Sequence, residues 1–344
     1  MSRVEELFDK KYLTDLLWRK LPPLYPRLKE ILDIEIIPIK KHIWIDTYHV
    51  VTQIKTRILT FSGREITIPI YYSAHSDEPR RNVYDALKFL WDNGFNSQHL
   101  SIPRPLFYSE YLNATFYRGV NGKDLRYFIK KEDQVEITRV VEQSAKWFAK
   151  LHSLDNIKKF NFSTENSRIR SVLPGVNRLF KDIARKYPHY SEFYKHAYAI
   201  FLKKEEDFLA STEKRWLIHG DAHPGNIIKI NDIEIAAIDF TDMSPADFAR
   251  DLGCFLQQFE YMAVRTGLDH DFISKMKQLF LDTYFKNSDE KLDASLQDRI
   301  DNYYNWTLMR TISYLLFSGV INRDEGKLIR INNLITQLKE DLGI

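Results

Sequence analysis

The chain contains almost no cysteine. Cys254 is the one cysteine among 344 residues, so no disulfide can form within the chain and a metal site built from several thiolates is excluded. Disulfides are typical of secreted proteins and thiols of a reducing compartment. We therefore expect a cytoplasmic protein.

The sequence also lacks a long apolar run. Residues 1–20 carry charges throughout, which argues against a secretory signal. The most apolar later stretch, residues 311–321, is far shorter than the roughly 20 residues that a membrane span needs. We expect no membrane partner.

An excess of charge of either sign is missing as well. The 50 Lys and Arg residues nearly balance the 47 Asp and Glu residues, giving a formal net charge of +3. A dedicated nucleic-acid-binding protein would be more basic. The pairs Arg80-Arg81 and Lys203-Lys204 are interpreted as solvated helix faces and not as phosphate-binding tracks. We expect no nucleic-acid partner.

The first third of the chain predicts a helix followed by a small sheet. Residues 3–20 repeat apolar side chains at helical spacing and end at Pro22-Pro23, which predicts a helical appendage over residues 1–31. The short connections Asp46-Thr47 and Ser62-Gly63 predict antiparallel hairpins. The predicted elements are strands at 32–45, 48–61 and 64–75, a helix at 79–95 and two strands within 105–120. We expect one β-rich lobe at residues 32–120.

Amphipathic helical patterns dominate after Gly122. The longer ones lie at 132–154, about 175–210, 247–266, 270–286, 294–319 and 325–341. A strand-like stretch interrupts them only around residues 216–240. Strands grouped before helices predict an α+β fold with a mainly helical C-terminal lobe at residues 121–344.

The stretch WLIHGDAHPGN at residues 216–226 brings ionisable groups together beside an apolar strand. It contains H-x-D-x4-N, the spacing of a kinase catalytic loop. Phosphoryl transfer needs a carboxylate to orient the accepting hydroxyl, and oxygen ligands for a metal that neutralises phosphate charge. The spacing assigns the first role to Asp221.

The segment after this loop predicts a hairpin that brings two oxygen ligands together. If Asn231-Asp232 forms a two-residue turn, Asn226 faces Ala237 and shares a face of the hairpin with Asp239. An amide oxygen and a carboxylate at this separation can hold one cation. Oxygen ligands favour magnesium, which completes its shell with water and phosphate oxygens.

At these residues the sequence resembles a family of phosphotransferases that includes aminoglycoside, choline and homoserine kinases, distant relatives of the protein kinases. The resemblance rests on HGDAHPGN (219–226), IDF (238–240), ARDLG (249–253), AKLHSL (149–154) and NGKDL (121–125). The pairing of HGDAHPGN with IDF is highly specific.

The resemblance implies a two-lobed, protein-kinase-like fold that binds ATP, or GTP, in the cleft between its lobes. It implies that Asp221 is the catalytic base and that Asn226 and Asp239 bind magnesium. His219 and Asp251 would support the catalytic loop. The substrate would be the hydroxyl group of a small molecule.

The N-terminal lobe departs from the family pattern. A kinase-like enzyme keeps a Lys on its third strand, paired with an acid on the next helix, but here that strand has Tyr71 and its neighbours at the expected position. Lys55 is our candidate for the nucleotide-binding cation, although Lys40, Lys41 and Arg57 are alternatives. Asp85 is the candidate acid.

Three functions remain open. The leading hypothesis is a small-molecule kinase, and the missing Lys suggests an alternative, a catalytically inactive nucleotide-binding regulator. The third is a metal-dependent hydrolase with His219, Asp221 and His223 as ligands. Glu260 and Asp269 are candidates for binding an amine-bearing acceptor, with solvated helix positions as the default. The sequence leaves the acceptor and the oligomeric state undetermined.

Overall fold

The computed structural model describes residues 3–45, 47–78, 80–96, 99–155, 162–171, 175–317 and 325–344. The chain forms two compact units. One comprises Met1–Gly122 with Ile228–Thr241, and the other comprises Lys123–Ile227 with Asp242–Ile344. Asp46, Pro79 and residues 318–319, which the sequence assigned to a turn and to two helices, lie outside the described residues.

A five-stranded antiparallel sheet forms most of the N-terminal unit, as predicted. Its strand order is β1-β2-β3-β6-β5, and every neighbouring pair is antiparallel. The strands of the first 120 residues are β1 (Leu28–Ile43), β2 (Tyr48–Thr60), β3 (Glu65–His75), β4 (Leu100–Ser101), β5 (Arg104–Ser109) and β6 (Ala114–Arg118). Asn113 has a φ of 44° and turns the chain between β5 and β6.

The N-terminal helices belong to the core of this unit. Helix α1 spans Arg3–Glu6 and α2 spans Lys10–Lys20. Leu7 between them and Leu13 and Leu17 of α2 belong to the same hydrophobic cluster as Val50 and Ile54 of β2. The sequence predicted an appendage here, because periodicity shows that a helix has an apolar face and does not show what covers it. The sheet supplies the cover.

Helix α3 (Arg81–Leu90) follows β3 and continues into a π-helical turn, Trp91–Phe95, that ends where Gly94 adopts a φ of 91°. The same unit contains β10 (Ile235–Ala237), which pairs in parallel with β4. The predicted continuous helix at 79–95 is therefore correct in place but irregular in its last turn.

The hairpin that ends at β10 has a longer loop than predicted. Strand β9 (Ile227–Lys229) precedes it, and the backbone N–H of Ile230 donates to the carbonyl of Glu234 at 2.9 Å. The loop is therefore three residues long, and the predicted register is wrong by one residue. The Asn231 side chain accepts hydrogen bonds from the N–H groups of Ile233 and Glu234, which stabilises the longer turn.

The C-terminal unit is mainly helical, and the sequence predicted its long helices closely. They are α4 (Leu125–Lys130), α5 (Gln134–His152), α6 (Val176–Lys186), α7 (Ser191–Ser211), α8 (Ala249–Val264), α9 (His270–Lys286), α10 (Ala294–Phe317) and α11 (Glu325–Leu342). Short strands β7 (Lys123–Asp124), β8 (Trp216–Ile218) and β11 (Ser244–Ala246) interrupt them. None of the helices in the described part of the chain combines the length and apolarity that a bilayer crossing requires.

Candidate active site

The loop at residues 219–226 follows strand β8, and its backbone conformation is tightly restricted. Strand β8 is fully buried and pairs with β11, and the loop closes with a short 3-10 turn at Pro224–Asn226. Gly220 has a φ of +83°, and a Cβ there would lie 2.3 Å from the carbonyl oxygen of Asp242. A side chain at this position would be strained and would also displace the backbone.

Asp251 binds the backbone at the start of this loop. Its carboxylate accepts hydrogen bonds from the backbone N–H of His219 at 2.7 Å and of Gly220 at 2.9 Å. His152 Nε2 lies 3.1 Å from the same carboxylate, and His152 Nδ1 lies 2.8 Å from the hydroxyl of Tyr284. Burial alone would raise the pKa of Asp251, but the hydrogen bond and charge of His152 outweigh it and lower the pKa.

His219 is buried within the same unit. Its ring packs edge-on against Trp147 and Phe148, and its Nδ1 accepts the backbone N–H of Asp221 at 3.3 Å. No group of three or more His, Cys, Asp or Glu side chains in the described residues could hold a metal ion. The hydrolase hypothesis, with His219, Asp221 and His223 as joint ligands, therefore has no support.

Asp221 is partly buried and held by Asn226. The side-chain amide of Asn226 donates to the backbone carbonyl of Asp221 at 3.0 Å and to its carboxylate at 3.3 Å. Burial raises the pKa of Asp221, but the contact with His223 and the electrostatic interactions with His223, His219 and Arg310 outweigh it, and the pKa lies well below its usual value. Asp221 is therefore an anion throughout the neutral range.

His223 completes the surroundings of this carboxylate. Its Nε2 lies 3.5 Å from Oδ2 of Asp221, and its Nδ1 accepts the backbone N–H of Gly225 at 3.0 Å. A Cβ on Gly225 would lie 2.9 Å from the His223 ring. The missing side chain of Gly225 therefore leaves room for His223 beside Asp221.

Asp239 belongs to the N-terminal unit and has an unusual backbone. Its φ is +66°, a left-handed conformation that few residues other than Gly, Asn and Asp adopt. The hydroxyl of Thr241 donates to its carboxylate at 2.9 Å, and Arg80 donates to that hydroxyl at 3.3 Å. Asp239 is otherwise exposed, so its backbone and Thr241 fix where the charge points.

Arg80 is not the solvated residue that the sequence suggested. Only 2% of its surface is exposed, and besides Thr241 it contacts the carboxylate of Glu78 at 3.0 Å. Arg81 beside it is half exposed and pairs with Asp85, as expected of a helix surface. Sequence adjacency hid the difference, because neighbouring residues on a helix point in different directions.

The strand position expected to carry a Lys carries an aromatic residue instead. Tyr71 stacks on Tyr117 of β6, with ring centroids 5.9 Å apart and planes 8° from parallel. Burial raises the pKa of both phenols, and the charge of Asp239 adds to the rise at Tyr117. This face of the sheet therefore offers an aromatic surface close to Asp239.

Lys55 and Asp85 do not pair with each other. Lys55 contacts Glu35 on the neighbouring strand at 3.1 Å, and Asp85 contacts Arg81 one helical turn earlier at 3.1 Å. Both side chains are more than two-fifths exposed. The structure thus gives each residue a different partner from the one that a strand-helix ion pair requires.

Asn226 and Asp239 each carry an oxygen atom of the kind that magnesium binds. The NH₂ group of Asn226 is engaged by Asp221, which leaves Oδ1 available, and no N–H or O–H of the described residues donates to it. Asp239 is exposed, and Thr241 engages Oδ1 of its carboxylate. Amide and carboxylate oxygens in small number suit magnesium, which keeps several waters or phosphate oxygens.

A cavity of about 1030 Å³ opens beside Asp221 within the C-terminal unit. Asp221 and His223 line it together with apolar and aromatic side chains such as Trp306 and Met309. A pocket with a few polar groups in an otherwise apolar wall is typical of small-molecule sites. The loop at residues 219–226 thus borders a space large enough for a small molecule.

The acidic residues predicted to bind an amine do not line this cavity. The carboxylate of Glu260 accepts hydrogen bonds from Lys277 and from the hydroxyl of Tyr304. Asp269 caps α9 by accepting the backbone N–H of Phe272 at 3.1 Å. Both carboxylates have structural partners on the helices, so the structure adds no support for amine binding and is consistent with the default of helix positions.

Sequence reasoning missed the cations in the cavity wall. Arg310 of α10 and Arg126 of α4 both line it. Arg310 interrupts an apolar helical stretch between Met309 and Thr311. A single charge inside such a stretch is the signal that could have identified it.

Comparisons with known proteins bear on the family and the fold of the chain. A family model described as "Phosphotransferase enzyme family" matches residues 36–282. No curated protein matches the sequence.

Several solved structures share the fold at low sequence identity. Choline kinase from Cryptosporidium parvum Iowa II is 12% identical, with a TM-score of 0.59, covering 97% of this chain and 96% of that one. Plasmodium vivax ethanolamine kinase is 15% identical, with a TM-score of 0.52, covering 96% and 87%. A spectinomycin phosphotransferase in complex with ADP and spectinomycin is 14% identical, with a TM-score of 0.52, covering 96% and 94%. The predicted α+β, protein-kinase-like fold is confirmed.

Proposed function

We propose that this chain, which belongs to the phosphotransferase enzyme family, transfers the γ-phosphoryl group of ATP to a hydroxyl group of a small molecule. The chain is a phosphotransferase with an alcohol group as acceptor. GTP is the alternative donor. The observation that carries the proposal is the position of Asp221, an anion held by Asn226 in the wall of a cavity. The comparisons do not support the alternative of an inactive regulator.

Asp221 is the proposed catalytic base. Its carboxylate accepts the proton of the acceptor hydroxyl while the hydroxyl oxygen forms a bond to the γ-phosphorus. The bond from that phosphorus to the β,γ-bridging oxygen breaks, and the nucleoside diphosphate leaves with the bond's electron pair. The low pKa of Asp221 makes it a weak base. Its main contribution is therefore orientation of the hydroxyl, which agrees with a loose transition state.

Asn226 and Asp239 are the proposed magnesium ligands, through Oδ1 of the amide and a carboxylate oxygen. Bound magnesium would neutralise charge on the transferring phosphates. The support is chemical: the amide nitrogen of Asn226 is already used by Asp221, and Asp239 is exposed with its backbone in a fixed left-handed conformation. His219 and Asp251 support the loop and touch no reacting atom in this proposal.

The assignment of residue ranges to roles is also part of the proposal. Residues 32–120 would bind the nucleotide, and residues 1–31 would support this nucleotide-binding lobe. Residues 121–344 would contain the catalytic loop and the acceptor site. Lys55 and Asp85 remain candidates for nucleotide binding. The aromatic surface of Tyr71 and Tyr117 lies on the same sheet as Lys55.

The test compares Asp221→Asn with a matched control, Asp232→Asn, which changes an exposed turn residue in the adjoining hairpin. With magnesium and ATP or GTP, release of the diphosphate is measured over a panel of small hydroxyl compounds. We expect Asp221→Asn to lower turnover about 10²- to 10⁴-fold, the usual contribution of a positioned base, while nucleotide binding is retained. Unchanged turnover in Asp221→Asn would refute the role of this residue.

A further inference from the structure

The cavity beside Asp221 is strongly cationic. Two carboxylates line its described part, Asp182 and Asp221, against six side chains that carry a positive charge. These six are Arg126, Lys130, Arg178, Lys186, Arg265 and Arg310. The chain as a whole has nearly balanced charge, so this excess is a local property of the cavity.

Neither carboxylate is suited to binding a cationic substrate. Asp182 accepts a hydrogen bond from Arg185 at 2.9 Å and lies 3.9 Å from Nε of Arg178. Asp221 is the proposed base and already contacts Asn226 and His223. An ammonium group entering the cavity would meet six like charges and no unengaged carboxylate among the described lining residues.

Arg310 is the cation best placed to bind an anion near the reacting group. It is exposed, lines the cavity, and forms no hydrogen bond or ion pair with any described residue. Asp221 and the buried thiol Cys254 line the same cavity as this guanidinium. An unpaired guanidinium presents several N–H donors in a plane that matches phosphate or carboxylate oxygens.

Arg126 lies close to the same end of the cavity. Its guanidinium carbon is 3.8 Å from the position that a Cβ on Gly225 would occupy. Asp124 pairs with it at 2.8 Å, which orients the side chain and offsets part of its charge. Among the described residues, Arg126 therefore has an ion-pair partner and Arg310 has none.

Two of the remaining cations are held without being neutralised. Lys186 lies 5.2 Å from the ring centroid of Phe317, and Arg265 lies 5.4 Å from that of Tyr261. Aromatic faces attract a cation and leave its hydrogen-bond donors accessible. The cavity wall thus combines ring surfaces with cationic groups available to a ligand.

The volume of the cavity indicates the smallest ligand that would fill it. Ligand pockets usually measure roughly 300–1,000 Å³, and this cavity of about 1030 Å³ lies at the upper end of that range. A two-carbon amino alcohol would leave most of it empty. A sugar-sized or larger molecule would fill it and contact the aromatic wall.

We propose that the acceptor is an anionic hydroxy compound of sugar size or larger, whose phosphate or carboxylate group binds Arg310 while its hydroxyl meets Asp221. The inference rests on the proposed phosphotransferase function and specifies its substrate class. The two anionic sources share the same recognition chemistry.

The first experiment measures binding without nucleotide or magnesium. Thermal unfolding is recorded at constant ionic strength with glucose, glucosamine, gluconate, glucose 6-phosphate and inorganic phosphate. The variants are Arg310→Gln and, as a matched control, Arg330→Gln, an exposed arginine of α11 that does not line the cavity. Glucose 6-phosphate against gluconate separates phosphate from carboxylate recognition.

We expect at least one anionic probe to raise the unfolding temperature more than glucose does. Arg310→Gln should weaken its binding at least tenfold, and Arg330→Gln should leave it unchanged. An equal or larger shift with glucose or glucosamine, or no effect of Arg310→Gln on any anionic probe, would overturn the proposal.

A second experiment separates failure of this inference from failure of the proposed function. Diphosphate release is measured with the same sugars, magnesium and ATP, in wild type, Arg310→Gln and Asp221→Asn. Transfer to a cationic or neutral sugar that depends on Asp221 and is unchanged in Arg310→Gln would refute the anionic acceptor. The kinase function would then still be supported. Anion binding that depends on Arg310, without any transfer, would support the anion site and count against the kinase function.

Discussion

The side chain of Asn226 donates hydrogen bonds to both the backbone carbonyl and the carboxylate of Asp221. The residue proposed to bind magnesium therefore also fixes the residue proposed to receive the hydroxyl proton. One amide can serve both roles because its nitrogen only donates hydrogen bonds and its oxygen is the atom that can bind a cation. A change at Asn226 should consequently alter proton chemistry as well as metal binding.

We predict that Asn226→Asp raises the pKa of Asp221. The substitution replaces a hydrogen-bond donor by a second negative charge beside the first, and both changes favour the protonated form. Turnover should then decline at a higher pH than in wild type when the solution is acidified. The measurement is kcat/KM between pH 4 and 8 for both proteins. Coincident acid limbs would show that Asn226 does not act on the carboxylate.

We predict that Asp251→Asn lowers the free energy of unfolding by about 3 kcal/mol at pH 7, in line with the loss of a buried, paired charge. An amide can accept from only one of the N–H groups of His219 and Gly220 and presents an N–H to the other. Urea unfolding measures the difference. Buffers at several pH values extend the test.

The pH dependence of that difference has a definite sign. The pKa of Asp251 is lower in the folded protein than in the unfolded chain, so its ionised form stabilises the fold above the unfolded pKa. That stabilisation is lost as the pH falls below about 4 towards the folded pKa. Wild type and Asp251→Asn should therefore converge in acid. A gap that widens on acidification would contradict the assignment.

We predict that Asp239→Asn weakens magnesium-dependent nucleotide binding without destabilising the protein. Asn tolerates the left-handed backbone at this position and removes only the charge, whereas Asp239→Ala adds a conformational cost. The measurement is the shift in unfolding temperature caused by ATP with and without magnesium. A full magnesium-dependent shift in Asp239→Asn would exclude this residue as a ligand, and Asp232→Asn serves as the control.

We predict that Thr241→Val weakens binding of the magnesium-nucleotide complex by up to about tenfold. Val keeps the shape of Thr and removes the hydroxyl that links Arg80 to Asp239. One such hydrogen bond contributes about 1 kcal/mol. Calorimetric titration with magnesium and ATP provides the affinity. Equal affinities for Thr241→Val and wild type would show that Asp239 needs no such support.

The sequence predicted the local patterns well. Apolar alternation indicated the antiparallel sheet and helical periodicity indicated the long helices, because both patterns are set by residues close together in the chain. The residues His219, Asp221 and Asn226 lie within one short loop, so their spacing alone suggested a catalytic role. The predicted hairpin register was wrong because hydrogen bonds to the Asn231 side chain stabilise a three-residue loop instead of a two-residue turn.

Only the tertiary structure decided what surrounds the loop. Arg126 and Arg310 are distant in sequence and meet Asp221 at one cavity because α4 and α10 pack within one unit. The burial of Arg80 and the contact between Glu260 and Lys277 also arise from packing between elements. The sequence by itself determined the reaction chemistry that the loop can perform, since that depends on residue types at short spacing. The charge that the acceptor meets depends on side chains brought together from distant segments, so folding alone determined it.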